Sequence, residues 1–184
     1  RCDPAAPARH PGVATRTMAL ADDGGDLPAA LQTILEIGDG DGLQAAIDDA
    51  FPGCSVAVDI SSPCFQVQLR QPGLLRALDA SELSDGTLRY LLLAVALFSP
   101  RLPPLLVLNE PESSLHPELL PPLARLIMGA ASRTQVWVIA HAPALIAALE
   151  AQPECRHLHL ERQQGATRLP GQTTLEKAAW RWPG

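Results

Sequence analysis

Residues 105–117 read LLVLNEPESSLHP, an aliphatic run that stops at Asn109 and Glu110 and continues into Pro111, a second acid at Glu112, and His116. A buried strand that ends on polar groups displays them at its carboxyl end, which is where open α/β sheets take their ligands. A carboxylate at that place can hold Mg2+, and an adjacent Glu can orient water for attack on a phosphate. The same pattern also suits a strand leaving the core ahead of a helix that begins near Pro117. A second candidate is LSDGT at residues 83–87. Exposed amides at a helix start, together with the helix dipole, favour an anion, and Gly86 lets a phosphate approach the backbone. The plainer reading of those residues is a Ser84 cap, and the charge of Asp85 opposes a bare phosphate. The third is His141, directly after VWVIA and before Ala142 and Pro143. Its imidazole could reach a terminal phosphate, or it could simply end a strand.

Two further groupings concern metals. Cys155, His157 and His159 alternate along an expected strand and so share one face. H-x-H on a strand can ligate zinc, but no fourth ligand stands at a suitable spacing. Glu110, Glu112, His116 and His141 could instead serve a metal-dependent hydrolase. Glu112 and His116 lie four residues apart, the spacing of one helical face, although Pro111 and Pro117 interrupt a regular helix there.

These residues need elements to position them. Residues 1–25 are rich in Pro, Ala, Gly and Asp without hydrophobic periodicity and predict a loose, flexible arm. Asp26 as an N-cap and Pro28 in the first turn predict a helix over LPAALQTILEI. GDGDG ends it, and LQAAIDDAF predicts a second helix stopped by Pro52 and Gly53. SVAVDIS and FQVQLR alternate apolar and polar, which predicts two antiparallel strands with one wet face and a turn around Ser62 and Pro63. SDGTLRYLLLAVALFS predicts a nearly all-apolar helix capped by Ser84 or Asp85. PLLVLN predicts a central parallel strand. PELLPPLARLIMGAA predicts a helix disturbed at Pro121 and Pro122. QVWVIA follows as a buried strand with Trp137 in the core, then a helix over PALIAALEA and a third strand over CRHLHLE. TTLEKAAW predicts a last short helix, with Trp180 and Trp182 as packing anchors. The alternation implies a largely parallel α/β sheet flanked by helices, with a small antiparallel hairpin and a helical N-terminal segment. The expected organisation is an arm over 1–25, helices plus hairpin over 26–80, and an α/β lobe over 81–184.

The totals bound the reading. The chain has 184 residues, 47% of them hydrophobic, enough for one domain with a real core. No apolar run approaches the ~18 residues of a membrane span, and no secretory pattern opens the chain. A start at Arg1 rather than Met suggests a fragment or a processed chain. Fourteen basic against twenty acidic residues give a net charge of −6, which argues against a broad nucleic-acid footprint. Cys2, Cys54, Cys64 and Cys155 form no CxxC pair, so reduced thiols and a cytoplasmic setting are expected.

In chain order, a helix-start glycine motif, an acidic strand end and a histidine strand end resemble the ABC-type ATPases. The nearer resemblance is to the soluble branch with RecF-like, SMC-like and overcoming-lysogenization-type proteins, whose LSxG signature and EPExxLHP stretch are matched across residues 80–160. It implies a partial P-loop NTPase fold. It also implies that Ser84, Asp85, Gly86 and Thr87 form the signature, with Ser84 and Gly86 on the γ-phosphate of a nucleotide held by a second subunit. Glu110 would polarise the attacking water, His141 would contact the γ-phosphate, and residues 113–117 would line a head-to-tail dimer interface.

Two departures qualify this. The family needs a G-x-x-x-x-G-K-[ST] loop whose amides and lysine cradle phosphates. The only lysine here is Lys177, followed by Ala178, so no such loop exists in the sequence. The expectation is therefore a carboxyl-side lobe that uses ATP and Mg2+ only within a complete parent and holds neither tightly alone. Its partner would be the missing phosphate-binding half or a second copy; contact with nucleic acid would fall to the parent. The second departure is Asn109, where the family has Asp. An amide oxygen brings no charge to a hard cation, so Mg2+ binding at Asn109 is expected to be weakened unless Glu112 compensates. A non-catalytic pseudo-ATPase interaction module is the rival reading.

Overall fold

The computed structural model describes residues 7–13, 16–60, 64–163 and 166–168, and the chain divides into two compact units, Arg1–Leu149 and Glu150–Gly184. In the first unit a short strand β1 (Gly12–Val13) precedes helices α1 (Leu27–Ile37) and α2 (Gly40–Ala50). Strands β2 (Ser55–Asp59), β3 (Cys64–Arg70) and β4 (Leu78–Asp79) follow. Helix α3 (Asp85–Phe98), β5 (Leu105–Asn109), α4 (Leu120–Ala131), β6 (Gln135–Ile139) and α5 (Pro143–Glu150) complete the lobe.

The antiparallel layer is built on β3, which pairs with β2 along its length and with β1 and β4 at separate stretches. Val56, Val67 and Leu69 point into the core, as the alternation requires, and meet Leu31 and Ile34 of α1 and Leu43 and Ile47 of α2. Helix α3 is buried nearly all round, through Leu88, Tyr90, Leu91, Ala94 and Leu97. Such a helix lies at the centre of a fold rather than on its surface. Tyr90 stacks edge-on against Phe51 at 5.4 Å and donates to the Ala46 carbonyl at 3.4 Å; burial pushes its phenol up.

Local rules account for most boundaries. Asp39 caps α2 by accepting from Gly42 N at 2.9 Å, so the break after α1 is narrower than GDGDG suggested. Asp26 stands at the N-cap of α1, but its carboxylate takes the Ala21 amide instead of capping the helix. Pro121 and Pro122 do not disturb a helix. A 3-10 turn, Pro117–Leu119, comes first, and α4 starts at Leu120, so both prolines occupy positions whose amides need no helical partner.

Three further expectations change. Residues 7–13 are not loose: Ala8 is buried, and Arg9 is only 9% exposed. Beta strands β5 and β6 pair in parallel as a two-stranded sheet, but only one of its faces is covered. Leu106, Leu108, Val136 and Val138 pack against the core, whereas Leu105, Val107 (51% exposed), Trp137 (59% exposed) and Ile139 face outward. Trp137 is therefore not a core residue. Residues 155–160 form no strand; in the second unit the strands are β7 (Glu161–Gln163) and β8 (Ala166–Arg168), which pair antiparallel. The helix expected over TTLEKAAW, the tryptophans Trp180 and Trp182, and the turn at Ser62 and Pro63 lie outside the described residues. Cys54, Cys64 and Cys155 are free thiols, and burial, then the Asp48 charge, push the Cys54 thiol up. Among the described residues no helix is long and apolar enough to cross a membrane.

Candidate functional site

The start of α3 is fixed from both sides. Ser84 caps it, its hydroxyl accepting from Thr87 N at 3.1 Å and bonding the Thr87 hydroxyl at 2.8 Å. Asp85 is paired with the Arg9 guanidinium. Arg9 also donates to the carbonyl of Leu83 at 2.9 Å and to that of Ala80 at 3.4 Å. Upstream, Asp79 and Glu82 form a capping box, and Arg76 binds both oxygens of Glu82 at 2.6 and 2.7 Å. Those bonds from Arg76, with the Asp79 amide, hold the Glu82 carboxyl down at about 2.

The exit from β5 is an unusual piece of backbone. Glu110 has φ +45° and Ser114 has φ +66°, left-handed values that cost a non-glycine residue about 1 kcal/mol or more. Such residues persist only where surrounding bonds over-determine them. Here Glu110 N donates to the Ile139 carbonyl at 2.7 Å, Ser113 N to the Glu110 carbonyl at 3.0 Å, and Ser113 Oγ to the Glu110 carboxylate at 3.2 Å.

The exit from β6 is tied to that loop. Glu112 Oε1 accepts the amides of His141 and Ala142 at 2.6 and 3.0 Å, just ahead of α5. Across the same gap, His141 Nε2 stands 3.6 Å from Glu110 Oε1. The two residues are both exposed, on neighbouring parallel strand ends. The start of α3 adjoins the same loop, because a Cβ on Gly86 would stand 3.0 Å from the Ser114 carbonyl oxygen. Any side chain at position 86 would crowd that carbonyl and push the two backbones apart by a few tenths of an ångström.

Glu110 and His141 are thus side by side, and Gly86 touches their loop through Ser114. Asn109 ends β5 on the outward face, in line with Leu105 and Val107. Glu112 spends Oε1 on backbone amides, while its Oε2 is buried without a partner among the described residues. His116 is spent on the turn that follows, its Nδ1 facing Glu118 N at 3.4 Å. Among the described residues no group of three or more His, Cys, Asp or Glu is placed to hold a metal ion. The zinc reading of Cys155, His157 and His159 and the metal-hydrolase reading both lack their cluster; His157 pairs with Glu150 instead.

Sequence reasoning missed Arg9 and Arg89. Arg9 sits where no periodicity marks a contact. Arg89 did carry a signal, as the one charged side chain inside LRYLLLAVALF. Its Nη2 approaches the Glu110 carbonyl at 3.5 Å, and its Nε is buried without a partner.

Residues 16–147 match the family described as "AAA domain, putative AbiEii toxin, Type IV TA system". No curated protein matches the chain in sequence. Solved SMC ATPase heads share the fold. A chain from a study of ATP-driven dimerization and DNA-stimulated activation of SMC ATPases superposes with a TM-score of 0.60 at 14% identity, covering 76% of this chain and 87% of that one. An SMC head bound to the C-winged helix domain of ScpA gives 0.61 at 14% identity, covering 84% of this chain and 55% of that one. The SMC head domain from Thermotoga maritima gives 0.55 at 21% identity, with 79% and 50% covered. The chain thus spans about half the length of these last two heads. At such identities the likeness is one of fold, the P-loop NTPase fold of SMC ATPase heads.

Proposed function

The chain belongs to this AAA-domain family, and on that premise we propose that it is the carboxyl-side lobe of a soluble ABC-type ATPase of the RecF/SMC-like branch, hydrolysing ATP only when joined to a phosphate-binding-loop half. The observation that carries this reading is the placement of His141 3.6 Å from Glu110, on a loop that also touches Gly86 at the start of α3. A carboxylate beside an imidazole at the mouth of two parallel strands suits the reacting end of a triphosphate. Glu110 accepts a hydrogen bond from the attacking water and orients it, and His141 donates to the γ-phosphate. Ser84 and Gly86 offer the helix start to the γ-phosphate of a nucleotide on a second subunit, with Thr87 bonded to Ser84 behind them.

The chain's own residues do not fit a resident Mg2+ site. Asn109 supplies a neutral amide, Glu112 Oε1 is taken by two amides, and its buried, unpartnered Oε2 has no group of His, Cys, Asp or Glu gathered around it among the described residues. No part of this mechanism runs through a metal on this chain.

The uncovered sheet face supports a missing half. Leu105, Val107, Trp137 and Ile139 form an exposed apolar face that most soluble lobes would bury. Asn109 ends that same face, so whatever covers it reaches the strand ends. The sequence contains no G-x-x-x-x-G-K-[ST], and a half carrying that loop is the occupant proposed here. The SMC ATPases that share the fold are described as dimerising under ATP, and one head as bound to a winged-helix domain. By analogy, two completed heads of this protein meet head to tail.

The test is a titration of Mg·ATP into the chain alone and into the chain combined with its phosphate-binding half. Binding and turnover are expected only in the combination; micromolar affinity of the isolated chain would overturn the reading. Asn109 favours one rival, a pseudo-ATPase module that scaffolds a partner without turnover.

A further inference from the structure

Arg9 lies in the 3-10 turn Pro7–Arg9, before the residues that match the AAA-domain family, yet among the described residues it is the one charged side chain that is buried. Its partners all belong to the approach to α3. Nη1 donates to the Leu83 carbonyl at 2.9 Å and the Ala80 carbonyl at 3.4 Å, and Nη2 binds the Asp85 carboxylate. Arginine's planar fork can serve carbonyls and a carboxylate at once, which an ammonium on a single stem does not match.

The arrangement is costly as simple packing. Arg9 Nε is buried with no partner among the described residues, a penalty that an apolar side chain at the same place would not incur. What the guanidinium does supply is a charge opposite Asp85. Asp85 occupies the first turn of α3, where a carboxylate favours the helix dipole but repels any incoming anion. With Arg9 paired to it, the helix start loses the net negative charge.

We propose that Arg9 is a positioning residue for the signature turn, which it fixes through the Leu83 carbonyl while cancelling the charge of Asp85 so that the start of α3 can receive a phosphate. This rests on the ATPase reading above and deepens it. Arg9 touches no nucleotide; it acts through residues 83–86.

The test uses the chain combined with its phosphate-binding half and follows steady-state ATP hydrolysis against ATP concentration. Nucleotide capture belongs to the phosphate-binding half, whereas the signature engages the γ-phosphate at closure. Arg9→Gln should therefore lower kcat about tenfold and move KM by less than about twofold. The double variant Arg9→Gln/Asp85→Asn should recover most of the loss, and Arg9→Lys should fall between. Failure of that rescue, or a loss confined to KM, overturns the proposal. Hydrogen exchange on the isolated chain separates this from the function itself. Arg9→Gln should speed exchange of the amides of residues 85–88 by about tenfold while β5 and β6 keep their protection. A wild-type combination without turnover would count against the ATPase reading; unchanged exchange at residues 85–88 would count against Arg9. If Arg9→Gln does not fold, Arg9→Lys gives the same comparison at smaller amplitude.

Discussion

Glu112 fastens the turn that carries His141: one of its carboxylate oxygens accepts the amides of His141 and Ala142 at 2.6 and 3.0 Å. With the bond from Glu110 N to the Ile139 carbonyl at 2.7 Å, the loops leaving β5 and β6 are joined at two points. The pairing also places a negative charge at the start of α5, where the helix dipole favours it. These bonds hold the left-handed backbone of Glu110 and set the 3.6 Å distance of His141 from it.

Removing that carboxylate should loosen both loops. Glu112→Ala leaves two amides unpaired and should lower the free energy of unfolding by about 1.5–3 kcal/mol, read from urea denaturation. Glu112→Gln keeps an acceptor oxygen and should cost less, about 1 kcal/mol. Equal urea midpoints for the wild type and Glu112→Ala would show that the two amides find water without penalty.

Acid sensitivity should trace to the approach to α3. Arg76 and the Asp79 amide stabilise the charged form of Glu82, so its folded value, about 2, lies below the ordinary 4.5. A depressed carboxyl contributes stability above its unfolded value and loses it as pH falls through the folded one. The Glu82 contribution should therefore be complete above about pH 4.5 and should fade between there and about pH 2. Melting temperatures of the wild type and Glu82→Gln, compared across that range, should differ most at its upper end and converge at its lower. A gap that widens on acidification would reverse the assignment.

The sequence made helices α1 to α5, the β2–β3 pair and strands β5 and β6 plain, because periodicity and caps are local signals. Ser84 as a cap follows from a rule that acts within one turn, whereas the sequence puts Pro121 and Pro122 well inside a helix that in fact begins only at Leu120. The convergence of Glu110 and His141 was legible only through the order of motifs along the chain. What stayed hidden is long-range or depends on absent neighbours. Arg9 meets Asp85 across 76 residues, and nothing in PARH announces it. Trp137 lies in an aliphatic run that reads as buried on both faces, and the run is the same whether or not a partner covers the second face. CRHLHLE alternates like a strand, yet short alternation cannot supply a neighbouring strand to pair with.

Trp137 offers a direct report on the uncovered sheet face. In a background with Trp180→Phe and Trp182→Phe, its emission in the isolated chain should be red-shifted and readily quenched by acrylamide, because the indole is 59% exposed. Adding the phosphate-binding half should shift the emission to the blue and cut the quenching constant about threefold, as burial excludes water and quencher. Emission unchanged by a half that restores ATP turnover would mean that the occupant seats elsewhere.

Asn109 decides between a weakened engine and a scaffold. It ends β5 at the exposed face, one residue before Glu110, with an amide where a carboxylate would attract a hard cation. Asn109→Asp changes no packing, so the isolated chain should unfold within about 0.5 kcal/mol of the wild type. Combined with the phosphate-binding half, the same substitution should raise ATP turnover about tenfold, equivalent to ~1.4 kcal/mol of barrier. That gain should require Glu110, so Asn109→Asp/Glu110→Gln should return to the level of Glu110→Gln alone. If Asn109→Asp leaves turnover where it was while the two halves still associate, Asn109 is not what limits the reaction, and the chain serves to hold a partner rather than to hydrolyse ATP.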